Sequence, residues 1–209
     1  WDACAGADNP FVSWHFLSAL ERSGSVGGAS GWQPLPLVID DADGQMAAAA
    51  PLYAKSHSQG EYVFDQGWAD AWERAGGRYY PKIQLAAPFS PVPGPRLLLR
   101  DGAMAPGLIA GIETLVERNG LSSAHATFVA PDQVPLFEAN GWLIREDSQF
   151  HWTNRGYGDF DDFLAELSSE KRKNIRKERR RAVEGLDIIH LTGGDLTEAH
   201  WDIFWDFCG

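Results

Sequence analysis

The sequence predicts an α/β protein in which a mixed sheet is flanked by helices. Three observations predict it. Segments with apolar residues at helical spacing alternate with short runs of β-branched residues, leucine and alanine. The pair Asp43-Gly44 sits between two such runs and marks a hairpin. A length of 209 residues, 44% of them apolar, suffices to bury a proper core and rules out a disordered chain.

The elements follow in order. Asn9-Pro10 opens a helix whose Phe11, Trp14, Leu17 and Leu20 repeat at helical spacing up to Ser23-Gly24. Residues 25–31 form a Gly/Ser turn. A strand over 35–39 and its return over 46–53 flank the Asp43-Gly44 turn. Residues 65–75 read as a short helix stopped by Gly76-Gly77, and 82–86 as a strand leading into a proline-punctuated loop at 88–95. A strand over 96–100 precedes a helix over 104–119, patterned by Leu108, Ile112, Leu115 and Val116 and ended by Gly120. There follow a strand (124–130), a short helix (132–140), a long strand (142–152) and a short helix (160–167). A strand over 186–191 and a helix over 195–207 complete the set.

Charge is distributed unevenly. The net charge is -11, yet eight of the 18 basic residues fall within 171–181 beside a single acid, Glu178. They are Lys171, Arg172, Lys173, Arg176, Lys177, Arg179, Arg180 and Arg181. The surrounding run, SSEKRKNIRKERRRAVEGL at 168–186, has no Gly or Pro before Gly185 and is rich in helix formers. Ser168 or Ser169 can cap it, with Glu170 in the positive first turn. Ile175, Ala182 and Leu186 give it one thin apolar face. A solvated helix balancing an acidic body is the plain alternative. Eight cations in three turns repel one another, so a polyanion is the more natural partner: RNA, a nucleotide diphosphate or an anionic membrane surface.

A second stretch is hard to explain as scaffold. Between residues 55 and 95, ionisable groups are interleaved with aromatics: Lys55, His57, Glu61, Tyr62, Asp65, Trp68, Tyr79, Tyr80 and Lys82 among them. Aromatic walls with a few fixed charges build ligand pockets, and Gly/Pro-rich loops tend to carry function. Each residue also has a plain role. Lys55 and His57 can pair locally, Asp65 can cap the helix after it, and one of Tyr79 and Tyr80 can be core while the other is exposed.

Other classes leave no trace. Cys4 and Cys208 stand at opposite ends and form no metal or redox spacing, in keeping with a reducing cytoplasm. No run approaches the ~20 apolar residues that span a bilayer. His15, His57, His125, His151, His190 and His200 have no metal-ligand spacing, and no serine or cysteine nucleophile stands out.

Two long motifs carry a resemblance. Residues 55–82, KSHSQGEYVFDQGWADAWERAGGRYYPK, and 150–180, FHWTNRGYGDFDDFLAELSSEKRKNIRKERR, resemble the bacterial FemAB-like family of predicted N-acyltransferases, often labelled peptidoglycan biosynthesis or recognition proteins. Residues 9–27, NPFVSWHFLSALERSGSVG, are similar to its amino-terminal motif. The resemblance implies a GNAT-like mixed sheet flanked by helices, with the start of a second GNAT-like lobe. Residues 1–157 would be the first lobe and 158–209 the basic helical segment and the start of the second, so the chain is expected to be a piece of a longer protein. Apolar surface on a partial second lobe would then favour self-association.

The resemblance also implies a reaction. A cytoplasmic transferase would move an aminoacyl group from aminoacyl-tRNA to an amine of a peptidoglycan-precursor-like acceptor, with no tightly bound cofactor. Asp65 or His57 would be the acid/base; Lys55, Tyr62, Trp68, Tyr79, Tyr80 and Lys82 would line the acceptor groove. Lys171, Arg172, Lys173, Arg176 and Lys177 would hold tRNA or a nucleotide-linked cell-wall precursor. An acyl-CoA donor is the first alternative, although 90–102, SPVPGPRLLLRDG, is no substitute for the Gly-rich pyrophosphate loop of acetyl-CoA enzymes. A non-catalytic module recognising cell-wall precursors or RNA is the second.

Overall fold

Prolines break the long hairpin and hand its two halves to different sheets. In the computed structural model, which describes residues 1–208, the outgoing arm runs as β1 (Trp32–Pro34) and β2 (Leu37–Asp40). The return runs as β3 (Met46–Ala50) and β4 (Leu52–Lys55). Pro34, Pro36 and Pro51 stand at the break, where a missing N–H interrupts any ladder. One backbone bond, Leu35 N to Leu52 O at 2.8 Å, spans it. At the far end Asp41 Oδ1 accepts from the backbone N–H groups of Asp43 and Gln45, and Gly44 takes the positive φ of 71° that the turn requires.

With β5 (Lys82–Leu85), β6 (Leu98–Leu99) and β7 (Ala124–Ala126), the strands form two sheets ordered β1-β4-β5-β7 and β2-β3-β6. All pairings are antiparallel except β5 with β7, so the first sheet is mixed, as the sequence predicts. The helices around them are α1 (Asp2–Ala5), α2 (Trp14–Arg22), α3 (Gln66–Arg74), α4 (Ala105–Arg118) and α5 (Val134–Glu138).

Helix α4 organises the main core. Its Ala105, Leu108, Ile109 and Ile112 are buried at i, i+3, i+4 and i+7, and they pack with Ala48, Ala50, Leu52, Ile83 and Leu85 from the sheets and with Leu97 just before β6. The helix approaches β2 so closely that a Cβ on Gly111 would lie 3.0 Å from Leu37 Cδ2. On β3, Ala48 and Ala50 belong to this core while Ala49 packs with Cys4, Ala5, Val12 and Leu98. The alternation is that of a strand buried on both faces.

The first sheet has two chemically different faces. Cross-strand partners share a face. Ile83 and Leu85 therefore lie with Leu52, Ala124 and Ala126 on the α4 side, while Lys82 and Gln84 lie with Lys55, Trp32, Tyr53 and His125 on the other. Lys55, Lys82 and Gln84 are each fully buried. That polar face is where the candidate site is built.

The chain divides into two compact units, residues 1–147 and 148–209. The second contains α6 (Phe160–Ala165), α7 (Ser169–Ala182) and α8 (Glu198–Cys208). Asp159 and Ser168 cap α6 and α7 by accepting from the N–H groups of Asp162 and Lys171. The strands expected over 142–152 and 186–191 do not form among the described residues. β-Branched and aromatic content favours an extended chain, but only a neighbour's N–H and C=O groups make it a strand.

Candidate functional site

The site is organised by a lysine that a strand drives into the interior. Lys82 is the first residue of β5, and its register opposite Lys55 of β4 points it to the polar face. A buried ammonium needs acceptors. Lys82 Nζ has three: Asp65 Oδ2 at 2.7 Å, Glu61 Oε2 at 2.8 Å and Ser58 Oγ at 3.0 Å. All come from the loop over residues 56–65 that covers the sheet, and the three N–H bonds of Lys82 are thereby used.

Two tyrosines close the cluster from the other side. Tyr79 Oη donates to Asp65 Oδ2 at 2.8 Å, and Tyr80 Oη and Ser58 Oγ share a hydrogen at 2.7 Å. Both rings are half-buried and meet edge to face at 5.0 Å, so neither is core and neither is free, contrary to the alternation expected of a strand start. His125 lies beyond them, its Nε2 2.8 Å from Ser123 Oγ and its ring 5.8 Å from that of Tyr79. Burial, with the charge of Lys82, pulls its pKa down to about 4, so it is a neutral imidazole at pH 7.

Asp65 stands at the N-cap position of α3 but makes no capping bond there; its carboxylate is turned to Lys82 and Tyr79 instead. Burial pushes its pKa up, but the bonds from Lys82, Ser58 and Tyr79 outweigh that and hold it below the usual range. Glu61 goes the other way: burial raises it more than the Lys82 charge and hydrogen bond lower it. Two neighbouring carboxylates with opposite shifts divide naturally into one that stays charged and one that can carry a proton. Each also keeps one buried oxygen without a partner, Asp65 Oδ1 and Glu61 Oε1.

Lys55 is treated differently. Its Nζ donates to Gln59 O at 3.1 Å and lies 3.7 Å from the centroid of the Trp32 ring. Burial brings its pKa down to about 8, against the pull of Glu61.

The other expected residues lie apart from this cluster. His57 Nδ1 accepts from Gln59 N at 3.2 Å, and its Nε2 crowds Gly31, where a Cβ would lie 2.1 Å away. Among the described residues no hydrogen bond joins it to Lys82, Glu61 or Asp65; burial and the charge of Lys55 lower its pKa. Tyr62 and Trp68 are exposed, at 48% and 67%, and contribute rim and not wall. Glu61, Ser58 and Trp32 gain their roles only from the structure. A signal for Glu61 exists in the sequence: a lysine opening a buried strand demands acids nearby, and Glu61 and Asp65 are the ones in 55–82 outside the body of α3.

The family profile for FemAB-like, peptidoglycan biosynthesis/recognition, matches residues 1–208. The chain belongs to the FemAB-like family. No curated protein and no solved structure matches it. The FemAB-like assignment spans both units, including the basic helix in the second.

In that second unit the FemAB-like chain displays its cations openly. Arg176 pairs with Asp161 at 2.7 Å, and the Arg179 guanidinium lies 4.1 Å from the Phe160 ring centroid. Among the described residues Lys171, Arg172, Lys173 and Lys177 form no ion pair. Ile175 is half-buried and most of the cations are exposed, but Ala182 and Leu186 of the expected apolar face are exposed as well, so Ile175 alone of the three is covered.

Proposed function

We propose that this chain is part of an N-acyltransferase that moves an aminoacyl group from aminoacyl-tRNA to an amine of a peptidoglycan-precursor-like acceptor. The observation that carries the reading is the buried pair of carboxylates clasped to Lys82, each with one oxygen unpartnered. Such a cluster costs stability compared with an apolar core, which favours a role beyond scaffolding. Its place in a family of peptidoglycan biosynthesis and recognition supports an acceptor of that class.

The reaction needs little from the protein. The amine nitrogen forms a bond to the ester carbonyl carbon, the ester C–O bond breaks, and the tRNA ribose hydroxyl leaves with a proton. The protein must align the two reactants, take the proton from the attacking nitrogen and stabilise the oxyanion. In this reading a carboxylate of the cluster takes the proton. Asp65 is the acid expected from the sequence, and Glu61, with its raised pKa, is the better-matched base beside it. His57 is the more distant candidate. Lys55, with a single hydrogen-bonding partner, can meet an acceptor carboxylate or phosphate; Tyr62, Trp68, Tyr79 and Tyr80 border the approach. Lys171, Arg172, Lys173, Arg176 and Lys177 would hold the RNA phosphates. The GNAT-like fold and a second lobe belong to the same proposal.

One observation favours a second reading. Glu61 and Asp65 are each only 3% exposed, as suits a rigid recognition module without turnover. A transfer assay on the complete protein separates the two, with labelled aminoacyl-tRNA and labelled acetyl-CoA offered in parallel to cell-wall precursor and small amines. Label moving from tRNA supports aminoacyl transfer. Label moving only from CoA makes this an acyl-CoA enzyme, and precursor binding without any transfer leaves the recognition module.

A further inference from the structure

Buried polar atoms without partners are rare in folded proteins, and each calls for a missing partner. Here two lie on neighbouring carboxylates, Glu61 Oε1 and Asp65 Oδ1. Their sister oxygens are held within 2.8 Å of one nitrogen, Lys82 Nζ, so both carboxylates are already fixed about a common point. We infer that Glu61 Oε1 and Asp65 Oδ1 together accept N–H bonds from a primary ammonium group of a ligand, with Lys82 as the built-in cation that sets their positions.

Donor count favours this ligand, since all three N–H bonds of Lys82 are spent on the sister oxygens and on Ser58 Oγ. By direct contact one ammonium, Lys82, answers two carboxylates, while the other buried cation, Lys55, is turned to Gln59 O and the Trp32 ring. A metal ion has too few ligands: no group of three or more metal-binding side chains occurs among the described residues. A primary ammonium brings one positive charge, three donors and no acceptor, which complements two bare carboxylate oxygens. Gln84 Oε1 is a third buried acceptor without a donor, on the same face of β5 as Lys82. Both acids lie on the covering loop, whose Tyr62 and Phe64 take positive φ values of 59° and 49°. These exposed aromatics belong to the segment that must shift to admit a ligand.

The inference deepens the transfer reading, and rests on it only for identifying the ammonium with the acceptor amine. Its test needs no acyl donor, so either can fail alone. Methylammonium and tetramethylammonium carry the same charge, but only the first has N–H donors. Each is titrated into the protein while the side-chain carboxyl carbons of Glu61 and Asp65 are followed by NMR. Saturable shifts with methylammonium alone are expected, weakened about tenfold or more in Glu61→Gln, which loses a charge-assisted bond. Equal responses to both cations, or no saturable response to methylammonium, overturn the proposal. If Glu61→Gln does not fold, the comparison of the two cations on the unaltered protein still decides. A crystal structure grown in methylammonium with only water on both oxygens overturns it as well.

Discussion

Lys55 and Lys82 face each other across the β4–β5 register, both fully buried, yet carboxylates contact only Lys82. Like charges on directly opposed strand positions repel, and burial adds desolvation to each. The two solutions differ. Lys82 is held by two acids and a hydroxyl, whereas Lys55 has one carbonyl and an aromatic face.

Removing Lys82 strands two acids in the interior. Lys82→Met is expected to destabilise the fold by about 3–5 kcal/mol at neutral pH, because the loss lies mainly in the carboxylates left behind. Lys82→Met/Glu61→Gln should lose less than the single variant. Urea denaturation of both checks this. The deficit of Lys82→Met should also shrink at acidic pH, where the remaining carboxyls become neutral.

Lys55 predicts a stability profile of its own. Its folded pKa is lowered to about 8 from the ordinary 10.5, so between these values the unfolded chain binds more protons than the folded one. Stability from this group therefore rises with pH across that window, and its penalty is fully present below about 8. Relative to Lys55→Met, the unaltered protein should gain on the order of 1–2 kcal/mol between pH 8 and pH 10. Urea titrations at the two pH values, compared between the proteins, read the difference. Parallel behaviour would mean that Lys55 titrates normally.

How much of this is legible in the sequence varies with the kind of signal. Helix α4 announces itself through Leu108 and Ile112, and α7 through its composition, since both depend on local spacing. The hairpin is equally clear at Asp43-Gly44, but the apolar pattern does not show its break at Pro34, Pro36 and Pro51 into two sheets. Residues 142–152 and 186–191 have strand-like content and no strand, since pairing is a property of neighbours and not of the segment. At the site, the sequence singles out Asp65 and Lys82 together with Tyr79 and Tyr80, and the structure brings these four together. Glu61 receives no role from the sequence because a loop glutamate is ordinarily solvated. Its meaning comes from Lys82, 21 residues away.

Behind the site, one amide side chain replaces a strand partner. Gln133 Oε1 accepts from Arg96 N at 2.7 Å and Leu97 N at 3.1 Å, and its Nε2 donates to Leu97 O. The same Arg96, fully buried, donates from its guanidinium to Thr127 O, Pro95 O and Val92 O, so the loop before β6 hangs on this pair. Gln133→Ala leaves three buried backbone groups unpaired and should cost about 2–4 kcal/mol. Thermal and urea unfolding measure that loss, and hydrogen exchange should show it concentrated at Arg96 and Leu97.

The basic helix yields a prediction that separates a polyanion site from a solvated face. Lys173 and Lys177 stand four residues apart on α7, so they lie on one side of it. Neither forms an ion pair among the described residues. If RNA phosphates are their partner, replacing both with alanine in the complete protein should weaken tRNA binding. The log–log salt slope should also fall by about 0.7–0.9 for each phosphate no longer neutralised. Fold stability should move by no more than about 0.5 kcal/mol, since both side chains are exposed. Filter binding over a range of salt concentrations gives affinity and slope together. An unchanged slope would return the helix to the role of a solvated, charge-balancing surface. A reduced slope with intact stability would mean that these cations are arranged for a ligand and not for the fold.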